Sequence, residues 1–335
     1  MTPLAEVGFY EAWWIQLLKG VLIFFVVFNL VPIALLAERK LLGRFQSRIG
    51  PNRVGPKGLF QPIADVLKLL SKEQFTPATA VPWMMAIAPV ISVTTAVATM
   101  AIIPFGPYDA WGGGFGLYGI NVSIGLLYFF AFGSLAFYGL MLGGWSSGSK
   151  YSFLGAMRAA AQLISYEVAL GLSLLGVAMT AGSLSLVDIV DSQHGIWFVV
   201  PQFVGFCIFL VAGFAETARA PFDLPEGDAE IVGGYNTEFG GMRFGSFFMA
   251  EYMEILIISG IGAACFFGGW RGPGPIALAP LWMLIKIILG ATFFIWVRAS
   301  LPRLRYDQLM SFGWKVLLPL ATLNVLVTAT VLVAT

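Results

Sequence analysis

The chain has 335 residues, of which 58% are hydrophobic and only 11% charged, with a formal net charge of +1. That composition lies outside the range of a soluble globular domain, and so small a net charge argues against a nucleic-acid partner. Long uncharged runs without period-2 alternation point to an all-α integral membrane protein, one polytopic domain over residues 1–335, since about 20 apolar residues carry a helix across a bilayer core.

Eight spans are expected in chain order, near residues 13–37, 83–103, 120–142, 154–180, 197–215, 244–267, 276–297 and 312–334. No signal peptide is expected, because residues 1–19 lack the basic, apolar, small-residue order of one. An even number of spans puts both termini on one side, and the basic residues of the connections decide which. The first connection holds Arg39, Lys40, Arg44, Arg48, Arg53, Lys57, Lys68 and Lys72; the third, fifth and seventh hold Lys150, Arg219, Arg243, Arg298, Arg303 and Arg305. The even-numbered connections offer only Arg271. Both termini are therefore expected to face away from the cytoplasm or matrix; the extended N-terminus and inner-side basic bias suit a bacterial inner membrane, where that side is periplasmic. Trp13, Trp14, Trp83, Trp111, Trp197, Trp270 and Trp314, near the ends of runs, suit an interfacial belt. No internal repeat supports a transporter built of inverted halves.

The first connection, residues 39–82, contains GPNRVGPKG at residues 50–58, too rich in glycine and proline for regular helix. It lacks the Gly-Lys-Ser/Thr ending and preceding buried strand of a phosphate loop. Next, QPIADVLKLLSKE sets Ile63, Val66, Leu67 and Leu70 at helical spacing, with Asp65, Lys68 and Lys72 turned elsewhere. This predicts a short amphipathic helix, too charged to span, lying at the membrane surface or against a partner subunit.

Redox centres are not expected in this chain. Cys207 and Cys265 sit inside apolar runs, and His194, beside Asp188 and Asp191, is the only histidine, so paired haem ligands are lacking. The conspicuous chemistry is acidic. Glu167, Glu251 and Glu254 lie within spans, where an ionised carboxylate costs roughly 2.5–3.5 kcal/mol or more and so faces protein or a watered path. Glu251 and Glu254, three residues apart, share a helical face, where two acids so close repel when both are ionised, so at least one is expected to have a raised pKa and to be able to carry a proton. Residues 214–239, FAETARAPFDLPEGDAEIVGGYNTEF, add Glu216, Asp223, Glu226, Asp228, Glu230 and Glu238 against the single Arg219. Pro221 and Pro225 break the helix there, and Phe222, Leu224, Ile231, Val232, Tyr235 and Phe239 are more apolar side chains than a solvated loop needs. The pattern reads as carboxylates leading from an inner-side cavity into the membrane, with Lys286, Lys19 and Lys315 as basic partners or snorkelling ends.

The segments AERKLLGRFQSRIGPNRVGPKGLFQPIADVLKLLSKE, GSKYSFLGAMRAAAQLISYEVALGLSL, AETARAPFDLPEGDAEIVGGYNTEF and IWVRASLPRLRYDQLMSFGWKVLLPL resemble the H-subunit family of bacterial respiratory complex I, whose mitochondrial counterpart is NADH dehydrogenase subunit 1. The likeness runs from about residue 36 to 320. It implies a membrane subunit of a proton-translocating NADH:quinone oxidoreductase that forms the membrane side of a quinone chamber. Iron–sulfur clusters and FMN would reside in partner subunits, and a ubiquinone or menaquinone would be the substrate. Soluble quinone-site subunits and small and antiporter-like membrane subunits would be the partners, with lipid around them. Carried over residue by residue, Glu38, Arg39, Arg48 and Arg53, with Arg298, would line the chamber or its mouth. Glu167, Glu216, Asp223, Glu226, Asp228, Glu230, Glu238, Glu251 and Glu254 would form or feed a proton path coupled to quinone reduction through the loop at 214–242, with Arg219 holding carboxylates ionised. At Asp228 many relatives carry glutamate, so the side chain here is one methylene shorter. Two rivals are the membrane subunit of an energy-converting hydrogenase, which the long GPNRVGPKGLFQPIADVLK match disfavours, and a stand-alone proton or cation carrier, which would need no basic amphipathic platform.

Overall fold

The computed structural model describes residues 13–108, 116–225 and 227–334. Trp111 and Glu226 lie outside the described residues. The described elements are helical: α1 (Trp13–Phe45), α2 (Gln61–Ser71), α3 (Pro82–Met100), α4 (Gly125–Ser146), α5 (Lys150–Ala181), α6 (Leu186–Ser192), α7 (Phe203–Glu216), α8 (Asp228–Ile231), α9 (Gly241–Phe266), α10 (Ala279–Ser300), α11 (Tyr306–Phe312) and α12 (Leu318–Ala334). A π-turn at Gly313–Leu317 joins α11 to α12, making one apolar helix of Tyr306–Ala334. Among the described residues seven helices are long and apolar enough to cross a membrane.

The fifth expected span is the exception. Its helix covers only Phe203–Glu216, 14 residues, or about 21 Å at 1.5 Å per residue, against a bilayer core of about 30 Å. Turns occupy residues 198–202, where Pro201 removes a backbone donor and biases Val200 away from helix. The break is stitched by the buried Gln202 amide, which donates to Thr328 Oγ1 at 3.0 Å and accepts from Asn324 Nδ2 at 3.2 Å. This expected span is thus a short apolar helix extended by turns.

Helix α9 is the hub. Every residue from Ile255 to Phe266 is buried, the mark of a helix that is apolar all round. Helices α3 and α10 flank it, while α5 packs on α4, α7 and α12. Small residues set the spacing, as in other bundles assembled in lipid. A Cβ at Gly213 would lie 2.8 Å from Ile258, and one at Gly262 2.8 Å from Phe209, so bare glycines let α7 lie close on α9. At the end of α9 away from residues 217–240, Lys286 donates to the carbonyls of Phe267, Gly269 and Arg271, each at 2.7 Å, and clamps the chain where the helix stops. Lys286 is therefore a backbone cap and no partner of the acids. Lys19 stands 5.6 Å over the Tyr118 ring, and Lys315 is exposed.

The first connection follows its expected course, with one shift. Helix α1 continues to Phe45, so Glu38, Arg39, Lys40 and Arg44 sit on its last turns. An irregular segment follows, in which Gly58 at φ 75° comes so close to Pro51 that no side chain would fit. Helix α2 then spans Gln61–Ser71, with Ile63, Leu67 and Leu70 exposed on this chain.

Candidate functional site

The acidic connection is folded against the bundle. Phe222, Leu224, Ile231, Tyr235 and Phe239 are all buried, leaving Val232 outward at 63% exposure. Gly155 on α5 has no side chain to spare, since a Cβ there would meet Gly234 Cα at 2.6 Å. Tyr235 and Phe239 set their ring edges on Phe247 of α9, at centroid distances of 5.4 and 5.0 Å. Buried apolar area and edge-to-face ring contacts hold the loop, so its charges are placed relative to the helices.

Five helices and this loop then bring ionisable groups together from one end of the chain to the other. Glu38 of α1 is 3% exposed and pairs with Arg298 of α10, with Arg219 Nη1 3.7 Å away. Arg219, also buried, places Nε 2.9 Å from Glu251 Oε1 of α9 and its guanidinium 4.4 Å from the centre of the Tyr252 ring. Both carboxylates are thereby compensated, and the aromatic face adds a cation–π contact in a place shielded from water. One turn along α9, Glu254 lies within Coulombic reach of Glu251, Glu216 and Arg219. Glu216, at the end of α7, in turn feels Glu167 of α5.

The far end of this series converges on α4. Ser134 Oγ donates to Glu167 Oε1 at 2.5 Å, and a Cβ on the neighbouring Gly133 would lie 4.0 Å from Glu216 Oε1. A cavity of about 20 Å³ sits among Glu216, Glu251 and Glu254, bounded by Ser92, Tyr235 and Phe247. It has room for about one water molecule with several polar partners. Carboxylates around a pocket of that size can exchange a proton directly or through one water.

The sequence-derived residues divide by position. Glu38, Arg298, Arg219, Glu251, Glu254, Glu216 and Glu167 form the series. Arg39, next to Glu38 but turned about 100° around α1, reaches out to Asp65 of α2 at 2.7 Å. Arg48 and Arg53 are exposed in the irregular segment, Arg48 donating to Gln46 Oε1 at 2.7 Å. Glu230 is directed away from the cavity, to Arg158 Nη1 at 2.5 Å. Asp223 and Glu238 are half-buried in the loop, and Asp228 begins α8. Among the described residues no group of three or more His, Cys, Asp or Glu could hold a metal ion. Ser134, Tyr252 and Gln162 join the site without having been singled out from the sequence. The signal available for Ser134 and Gln162 was a polar side chain inside an apolar run.

The NADH dehydrogenase family model matches residues 18–329 of this chain. Among relatives, the second H-type subunit of the NADH-quinone oxidoreductase of Geobacter sulfurreducens is 52% identical over 316 residues, covering 94% of this chain and 95% of its own length. The first such subunit of Geobacter metallireducens is 52% identical over 320 residues, covering 95% and 96%. The H-type subunit of the NADH-quinone oxidoreductase of Methylococcus capsulatus is 51% identical over 295 residues, covering 88% and 90%.

Proposed function

The chain belongs to the NADH dehydrogenase family, and from that membership we propose that it is a membrane subunit of an NADH:quinone oxidoreductase that couples quinone reduction to proton movement through its buried carboxylates. The observation that carries the coupling role is the ion-paired series from Arg298 and Glu38 through Arg219 to Glu251, with Glu254 and Glu216 lining the same small cavity as Glu251 and Glu167 within Coulombic reach of Glu216.

Arg298, 34% exposed at its side chain, is where this series meets the outside, beside Glu38 of α1. Arg39, Arg48 and Arg53 on that connection, with Arg298 and Glu38, would border the quinone chamber. Electrons would come from an iron–sulfur cluster of a partner subunit. Taking up two electrons, a quinone needs two protons to become quinol, and negative charge arising beside Arg298 would compete with Glu38 for its guanidinium. Glu38 would then draw Arg219 from Glu251, and Glu251, uncompensated, would take a proton from its neighbours. A proton thus moves from Glu167 through Glu216 and Glu254 to Glu251, and is released from Glu251 when Arg219 returns and the ion pairs re-form. Partners follow from this role: quinone-site soluble subunits against the first connection and α2, and further membrane subunits next to the carboxylate path. The basic residues of the odd-numbered connections favour a bacterial inner membrane with both termini periplasmic.

The test is NADH-to-quinone electron transfer in membranes from a strain lacking this chain, with NADH-to-ferricyanide reduction by the soluble arm as control. Loss of the first with retention of the second is expected; unchanged quinone activity would overturn the reading.

A further inference from the structure

We infer that Gln162 of α5 is a positioning residue for the carboxylate path, fixing the turn that carries Glu216 and Arg219; the inference rests on the coupling function proposed above. Gln162 is 0% exposed, and its Nε2 donates to Ala215 O at 2.6 Å and to Phe222 O at 2.8 Å. Those carbonyls bracket residues 216–221. The first immediately precedes Glu216 in the last turn of α7, where helix carbonyls lose their regular i+4 amide partner, and besides the bond from Gln162 it accepts a long 3.3 Å bond from Ala218 N. One amide group therefore spans the turn from its start to its end.

The arrangement can be met by few side chains. Both amide hydrogens point at carbonyl oxygens, so the reverse orientation would set Oε1 against two acceptors and is excluded. The amide is uncharged and adds no competing charge to a neighbourhood that holds Glu167, Glu216 and Arg219. The same face of α5 secures the turn again four residues on. Tyr166 packs on Phe222 with ring centroids 6.0 Å apart and donates to Leu309 O at 2.8 Å. From the far side Leu304 N donates to Pro221 O at 3.1 Å. Because Glu167 rides on α5 as well, Gln162 sets the spacing between Glu167 and Glu216 as well as that between Glu216 and Arg219.

The variants to make are Gln162→Met, which keeps length and volume without a donor, and Gln162→Glu, which keeps the shape and offers one O–H donor when protonated. Each is measured in the assembled enzyme by NADH-to-ferricyanide activity, NADH-to-quinone activity and protons moved per electron. For Gln162→Met we expect unchanged ferricyanide activity, quinone turnover lowered about tenfold and fewer protons per electron, with partial recovery in Gln162→Glu. Wild-type turnover and coupling in Gln162→Met would overturn the inference. So would loss of assembled enzyme in both variants, or reduced amounts of enzyme with normal coupling, since either assigns Gln162 to folding alone. Glu216→Gln measured alongside separates the two levels: if it pumps normally the carboxylate reading itself fails, whereas an inactive Glu216→Gln beside a normal Gln162→Met removes only the role of Gln162.

Discussion

Arg219, in the loop after α7, holds Glu251 of α9 by an ion pair of 2.9 Å in a region from which solvent is nearly excluded. Removing one member of a buried pair leaves a bare charge, at a cost of about 3–5 kcal/mol. Arg219→Ala is therefore expected to lower the amount of assembled complex on a blue-native gel and to abolish quinone reductase activity in what remains. Arg219→Lys keeps the charge but loses the planar fork that serves Glu38 and Glu251 together. It should assemble and turn over more slowly, and equal turnover in Lys and wild type would show that the fork is dispensable.

Glu216→Gln preserves shape and removes the titrating group next to the cavity. We expect normal assembly with both quinone reduction and proton pumping lowered at least about tenfold, as for loss of a positioned proton-transfer group. An assembled variant with normal coupling would remove Glu216 from the path.

Glu230, by contrast, turns outward to Arg158, with both side chains partly in solvent. Exposed pairs contribute about 0–1 kcal/mol. Glu230→Gln should leave quinone activity within about twofold of wild type, whereas a larger loss would mean that Glu230 acts in the path despite its place.

Ser134→Ala removes one hydrogen bond to Glu167 and leaves the carboxylate itself. A loss of up to about tenfold in quinone turnover is expected, smaller than that of Glu167→Gln measured in parallel. Equal losses would make the hydroxyl as essential as the acid it bonds.

The apolar face of α2 can be tested in the same complex. Leu67 is 60% exposed on this chain and lies on the face with Ile63 and Leu70. A charge there opposes burial against a partner or lipid. Leu67→Asp should release the soluble arm from the membrane arm on a blue-native gel, and unchanged co-migration would place that face outside the interface.

Much of this arrangement was legible in residue patterns. Helix α2 followed from four apolar residues at helical spacing, and the burial of the acidic loop from its aromatic and aliphatic residues, five of the six named being buried. Glu167, Glu251 and Glu254 stood out because a charge inside a span has to be answered by something. What was not legible depends on tertiary direction. Glu38 and Arg39 are chain neighbours, yet one faces the ion cluster and the other α2, and only the packing of α1 on α10 decides which. Gln162 and Ser134 carry no charge and cost little to place in a span, so nothing local distinguishes them from helix glue. The short α7 was missed because an apolar window spans Pro201 without registering the break.

The pairing of Glu38 with Arg298 joins residues 260 positions apart, and this has a consequence for biogenesis. During synthesis α1 and α9 enter the lipid before α10 exists, so Glu38, Glu251 and Glu254 pass through insertion before Arg298 is available. The chain must complete its seventh connection before its charged interior is neutral. Truncation before Arg298 should therefore yield a product that membrane proteases remove, even though most of its spans are present.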